Sequence, residues 1–140
     1  MAEPEKTEKT EKTEKTEKIT INLGLVDLGQ IDLLVQEGFY ANRTDFIRSA
    51  IRTQLVTRAA AVDQSVARRT LVLGSAHFSR AQLEELRKAG QTVQIRVLGL
   101  ATIAADVSPK LALQTIASIE VLGAFRASAA VKAALASRIV

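Results

Sequence analysis

The chain has 140 residues, 47% hydrophobic and 24% charged, with a formal net charge of +4 and no cysteine. That length holds one ordinary domain or two small ones. The absent cysteines exclude disulfides and thiolate metal sites. No apolar run is long enough for a membrane-spanning helix, and the acidic, polar opening Met1-Ala2-Glu3-Pro4-Glu5-Lys6 does not read as a signal peptide.

The basic excess is unevenly spread. Residues 1–18 hold six Glu and five Lys, residues 19–59 four Arg against four acids, and residues 60–140 ten basic against five acidic groups. A basic protein often meets nucleic acid or an acidic surface. Here the excess lies in the second half, where the charges are dispersed and read as a solvated face. Contact of those C-terminal bases with DNA is the other reading.

In chain order, Glu5 to Lys18 is a Glu-Lys-Thr repeat without an apolar residue. It can bury nothing to offset the entropy of ordering, so residues 1–17 are expected to be a disordered, solubilising tail. An arm that touches DNA backbone through its lysines is the alternative, and the interleaved glutamates argue against it. Lys18-Ile19-Thr20-Ile21-Asn22-Leu23 then alternates polar and apolar. This predicts a half-buried strand with Ile19, Ile21 and Leu23 on one face and Lys18, Thr20 and Asn22 on the other. Gly24 ends it.

A helix is predicted over Val26 to Glu37, with Leu28, Ile31, Leu34 and Val35 at helical spacing, Asp27 near its start and Gly38 as its stop. Gly29 within it costs about 1 kcal/mol. Asn42 is a candidate N-cap and Asp45, three residues on, approximates a capping box. The second helix runs from Arg43 to at least Thr57, with an apolar stripe of Phe46, Ile47, Ala50, Ile51 and Leu55. Arg48 and Arg52 lie one turn apart on another face. The alanine-rich residues 59–68 read as a helical linker.

Residues 69–140 carry an internal repeat. Val72-Leu73-Gly74, Val97-Leu98-Gly99 and Val121-Leu122-Gly123 recur at spacings of 25 and 24 residues. Each follows a strand-like run, namely Thr70-Leu71, Val93 to Arg96 and Ser118 to Glu120. A short loop is expected after each glycine, then a helix capped by Ser79, Ser108 or Ser128, with Pro109 as a first-turn proline. The helices would carry Leu83 and Leu86; Leu111, Leu113 and Ile116; Val131 and Leu135. Strand-loop-helix units of this length are the mark of a solenoid or small parallel βα array, for which three units approach the minimum. Chance similarity in an apolar sequence is the competing explanation.

One strand and two helices in some 40 residues cannot make an adequate core alone, and a lone strand leaves its backbone groups unpaired. Two chains that pair these strands antiparallel solve both problems. The dimer core would then be Ile19, Ile21, Leu23, Leu28, Ile31, Leu34, Val35, Ile47, Ala50 and Ile51. The outward row Lys18, Thr20 and Asn22, doubled by symmetry, suits a major groove: Lys donates to guanine, Asn pairs bidentately with adenine, and Thr bonds a base or meets a thymine methyl. The second helix's N-terminus, with Asn42, Arg43 and Thr44, would anchor a phosphate.

Lys18-Ile-Thr-Ile-Asn-Leu23 followed by Gly38-Phe-Tyr-Ala-Asn-Arg-Thr-Asp-Phe-Ile-Arg-Ser-Ala-Ile-Arg52 resembles the ribbon-helix-helix family of small bacterial regulators, over about residues 18–58. The resemblance implies a dimeric module on double-stranded DNA, with Lys18, Thr20 and Asn22 at the base-reading positions and Asn42, Arg43 and Thr44 at the phosphate-anchoring turn.

The expected fold is therefore α+β: a ribbon-helix-helix module followed by a βα-repeat, solenoid-like domain for oligomerisation or partner binding. Some members of this family sense metals through histidine clusters. His77 stands alone here, so no metal and no cofactor is expected. Glu84 and Glu85 are adjacent and point to different helix faces, and no nucleophile or phosphate-loop pattern is present, so no enzyme is expected. The expected function is a cytoplasmic, nucleoid-associated transcriptional regulator acting as a repressor. Two alternatives stand beside it. One is a DNA-organising or plasmid-partition protein that assembles through its C-terminal repeats. The other is an antitoxin, which the apolar, repeat-like residues 69–140 disfavour.

Overall fold

The computed structural model describes residues 16–140; the Glu-Lys-Thr tail up to Lys15 lies outside the described residues. Two compact units are present, residues 16–65 and 66–140.

In the first unit, residues 16–24 form no helix and pair with no strand of this single chain. Helix α1 spans Leu25–Gln36 and α2 spans Arg43–Thr57, within a residue of expectation. Gly38 stops α1 at φ 86°. Its N–H donates to Val35 O at 3.1 Å and that of Phe39 to Leu34 O at 3.0 Å, which closes two of the helix's open carbonyls. A side chain at Gly38 would strain this left-handed turn. The Tyr40 ring meets Phe46 edge-on, centroids 5.0 Å apart. Helix α2 ends at Arg58 and a separate helix, α3, spans Ala59–Arg69.

The second unit alternates strand and helix: β1 Val72–Phe78, α4 Arg80–Lys88, β2 Val93–Ile103, α5 Pro109–Thr115, β3 Ile116–Arg126, α6 Ala129–Ala134 and a 3-10 turn Ala136–Arg138. The strands form one parallel sheet in the order β1-β2-β3. Parallel neighbours need a crossover, and each is supplied by the intervening helix. All three serines cap as expected: Ser79, Ser108 and Ser128 accept from Gln82, Leu111 and Val131 N–H. At Ser79 the cap is reciprocal, because Gln82 Oε1 accepts the Ser79 N–H at 2.9 Å.

The glycines correct the sequence reading. They were expected to close each strand; instead the strands run on for three or four residues beyond them. Val72, Leu73 and Gly74 pair with Val97, Leu98 and Gly99, and these with Val121, Leu122 and Gly123. A Cβ on Gly99 would stand 2.1 Å from Gly74 O, and one on Gly123 would stand 2.1 Å from Gly99 O. The repeated glycine therefore lets backbones approach within a ladder. Ile116, expected in a helix, opens β3, and Leu113 is exposed.

The core lies on one face of the sheet. Ile95, Val97, Ala101 and Ile103 of β2 pack with Ile119, Leu83 of α4, Leu111 and Ala112 of α5, Val131 of α6 and Leu135. The buried Thr115 hydroxyl donates to Leu111 O at 2.7 Å. Arg138 Nη1 donates to Leu113 O and Ile116 O at 2.6 and 2.7 Å, closing carbonyls at the end of α5. Near the start of the sheet, Glu120 takes ion pairs from Arg69 and Arg96.

Candidate nucleic-acid interface

The candidate site belongs to the unit of residues 16–65. Lys18, Thr20 and Asn22 are exposed, as are the apolar residues that alternate with them. Ile19 is 76% and Ile21 57% exposed. Of the expected dimer core, Ile31 is buried; Leu28, Leu34, Val35 and Ile47 are half-buried; Leu23, Ala50 and Ile51 are exposed with Ile19 and Ile21. Among the described residues, then, the segment's apolar row is exposed, as are Ile51, Leu55 and Val56 of α2.

At the turn, the three residues expected to anchor a phosphate are adjacent at the start of α2. Asn42 is its N-cap, and Asn42 Oδ1 accepts the Asp45 N–H at 2.8 Å. The return bond differs from a capping box. Asp45 Oδ2 accepts from Ala41 N–H at 3.0 Å, one residue earlier than the cap. That places a carboxylate by the first turn, which suits the helix dipole and opposes a phosphate at the same spot.

Arg43 is already engaged. Its Nε and Nη2 donate to the two carboxylate oxygens of Asp32 at 2.7 and 2.8 Å, a bidentate fork that ties α1 to α2. These bonds hold the Asp32 carboxyl below its ordinary pKa and push the Arg43 guanidinium further up. Sequence reasoning missed Asp32. The partners are 11 residues apart across a turn, and no local spacing rule links them. Thr44 is exposed beside Arg43 at the start of α2.

Among the described residues no three or more His, Asp or Glu side chains gather in a metal-sized cluster. No helix among them is long and apolar enough to cross a membrane.

No curated protein and no solved structure matches the chain significantly. The model of a ribbon-helix-helix transcriptional regulator family matches residues 14–132, from before the alternating segment through the third βα unit. The match spans both units, well beyond the residues in which the resemblance was first legible, and the chain belongs to the ribbon-helix-helix transcriptional regulator family.

Proposed function

We propose that this regulator is a repressor that binds double-stranded DNA as a homodimer and reads its operator through a two-stranded ribbon made from residues 18–23 of both copies. The exposed alternation carries this reading. Ile19, Ile21 and Leu23 face water in one chain, and burial behind a paired strand would recover about 25 cal/mol per Å² of apolar surface. The same pairing would satisfy the backbone groups of residues 18–23. It would turn Lys18, Thr20 and Asn22 outward as six side chains on a ribbon that fits a major groove.

The N-terminal amides of α2 and Thr44 would hold a phosphate on either side of the ribbon, and Asn42 would keep that turn in shape. Arg43 would contribute by fixing α1 against α2, and to DNA only where its fork is shared with Asp32. Residues 66–140 supply a solenoid-like stack of three βα units for oligomerisation or partner binding, with no catalytic role.

Genome-fragment selection by the purified protein, read by sequencing, tests this. One enriched, roughly palindromic motif is expected, lost in Thr20→Ala/Asn22→Ala. Each lost bidentate or paired base contact is worth about 1–3 kcal/mol of discrimination. Broad enrichment that the double variant leaves unchanged would overturn ribbon readout.

A second reading, a DNA-organising or partition protein that assembles on DNA, is favoured by one observation: among the described residues β1 is an open sheet edge, with neighbours on one side only.

A further inference from the structure

We propose that the units of residues 66–140 stack head-to-tail, the β3 edge of one copy pairing in parallel with the β1 edge of the next, so that Gly123 meets Gly74 of a second copy. The proposal rests on the open-edge observation and is independent of DNA binding.

The glycine ladder is the first support. Gly99 and Gly123 have φ of 139° and 119°, and each needs to be glycine because the preceding glycine's carbonyl oxygen occupies the space of a Cβ. Gly74 has the same backbone, φ 120°, with nothing within 4 Å of its Cβ position. It is shaped to receive a carbonyl that no described residue of its own chain provides. Gly123 O is the one glycine carbonyl of the ladder with no following strand among the described residues.

The second support is the row of valines on the core face. Val97 is 2% exposed, whereas Val72, in the same row of β1, is 57% exposed. Among the described residues the core is therefore open at the β1 end. A groove of about 580 Å³ lies along α4. It is lined by His77, Phe78, Ala81, Gln82, Glu85 and Leu86, all from the first βα unit.

The third support is the fit of the two ends. Ile139 bridges to Ile119 in parallel, and Val140 N–H donates to Ile119 O at 2.8 Å. This bridge lies at Ile119, two residues before Val121. Val121 is the row of Val97 and hence of Val72, where β1 of a second copy would begin.

The register of the ladder, in which the Gly123 carbonyl of one copy would meet the open Cβ position of Gly74, makes a second copy of this chain the occupant. Because the two surfaces differ, the contact is heterologous and propagates unless its rotation closes a ring.

The chain lacks cysteine, which makes cross-linking clean. Leu73 and Leu122 are exposed and lie in one row of the opposite sheet face, with Leu98 between them. Two strand spacings, about 9–10 Å, put Leu73→Cys and Leu122→Cys of one chain beyond the roughly 7 Å reach of a disulfide. Adjacent copies in the proposed register would bring them within it. The full-length double variant, mildly oxidised, should give a ladder of covalent multimers on a non-reducing gel. No multimers above the level of either single variant would overturn the proposal. So would cross-linking by Leu73→Cys alone, which would mean that β1 edges pair with each other. Failure here leaves operator selection intact, and failure of operator selection leaves the ladder intact.

Discussion

Residues 16–65 and 66–140 solve the burial problem in opposite ways. The second unit encloses thirteen buried hydrophobic residues, from Leu71 to Leu135, whereas the first encloses Ile31 alone. Both are rich in Ile, Leu and Val, so composition does not explain the contrast. Topology does. Three βα units give a sheet whose one face is roofed by its own helices. A two-helix pair with an unpaired segment has no second layer of its own. Among the described residues the first unit leaves its apolar row exposed, whereas the second encloses a core under one face of its sheet.

The largest effect should come from the ladder that holds the second unit together. Gly99→Ala would combine a φ that alanine rarely adopts with overlap against the Gly74 backbone. It should cost upwards of about 4 kcal/mol and remove the cooperative melting of residues 66–140. Gly74→Ala meets no atom of the described residues and should lose only the conformational part, about 1–3 kcal/mol. Similar losses for the two variants, by circular dichroism melts of dilute protein, would mean that the close carbonyl approach does not matter.

Dilution should separate the units next. Ile119→Ala, at a fully buried site, should lower the melting of the second unit by about 2–5 kcal/mol, with no need for a partner in that loss. The transition of the first unit should rise with protein concentration through pairing of residues 18–23, separately from any rise that stacking gives residues 66–140, because association stabilises whatever binds the folded form. Ile21→Asp should abolish that dependence while leaving the transition of residues 66–140 in place. A first-unit transition that is the same across a hundredfold dilution would sink the shared-core reading.

Much of this contrast was legible in the residues. Helices α1 and α2 came from apolar spacing with Gly38 and Asn42 as punctuation, and three serines marked three helix starts. The Val-Leu-Gly repeat revealed the βα units but misled about strand ends. A glycine normally reads as a stop, and only the register shows that each is a mid-strand contact with the one before. Ile116 was misplaced for a related reason: α5 hands directly over to β3, so no loop residue marks the change of period. The Arg43–Asp32 fork was illegible because it is a tertiary contact across a turn. The open β1 edge needed the sheet order, which no single repeat contains.

A smaller effect should follow from the cap. Asn42→Ala removes the acceptor of the Asp45 N–H and should destabilise the first unit by about 1 kcal/mol. The second unit's transition should not move, and Asn42→Asp should restore most of the loss. If both substitutions are silent in melts of the full chain, the turn is held by something other than its own cap.

The smallest effect concerns the Arg43–Asp32 fork, where stability and DNA binding pull apart. Hydrogen bonding to Arg43 lowers the Asp32 pKa. The fork's contribution is therefore fully present above the ordinary carboxylate value, near about 4, and is lost as pH falls through the lower folded value. Both groups are exposed, so the stability change is slight and salt-sensitive, and Asp32→Asn should flatten only the acid limb of the first unit's stability profile. At neutral pH the same substitution frees a guanidinium beside the α2 N-terminus. If the turn lies against phosphate, operator affinity should rise and the slope of log K against log salt should steepen by about one ion. A fall in affinity with an unchanged slope would assign Arg43 the opposite part. It would then be a strut whose carboxylate partner sets the angle between α1 and α2, and the backbone amides of α2 with Thr44 would be left to hold the DNA.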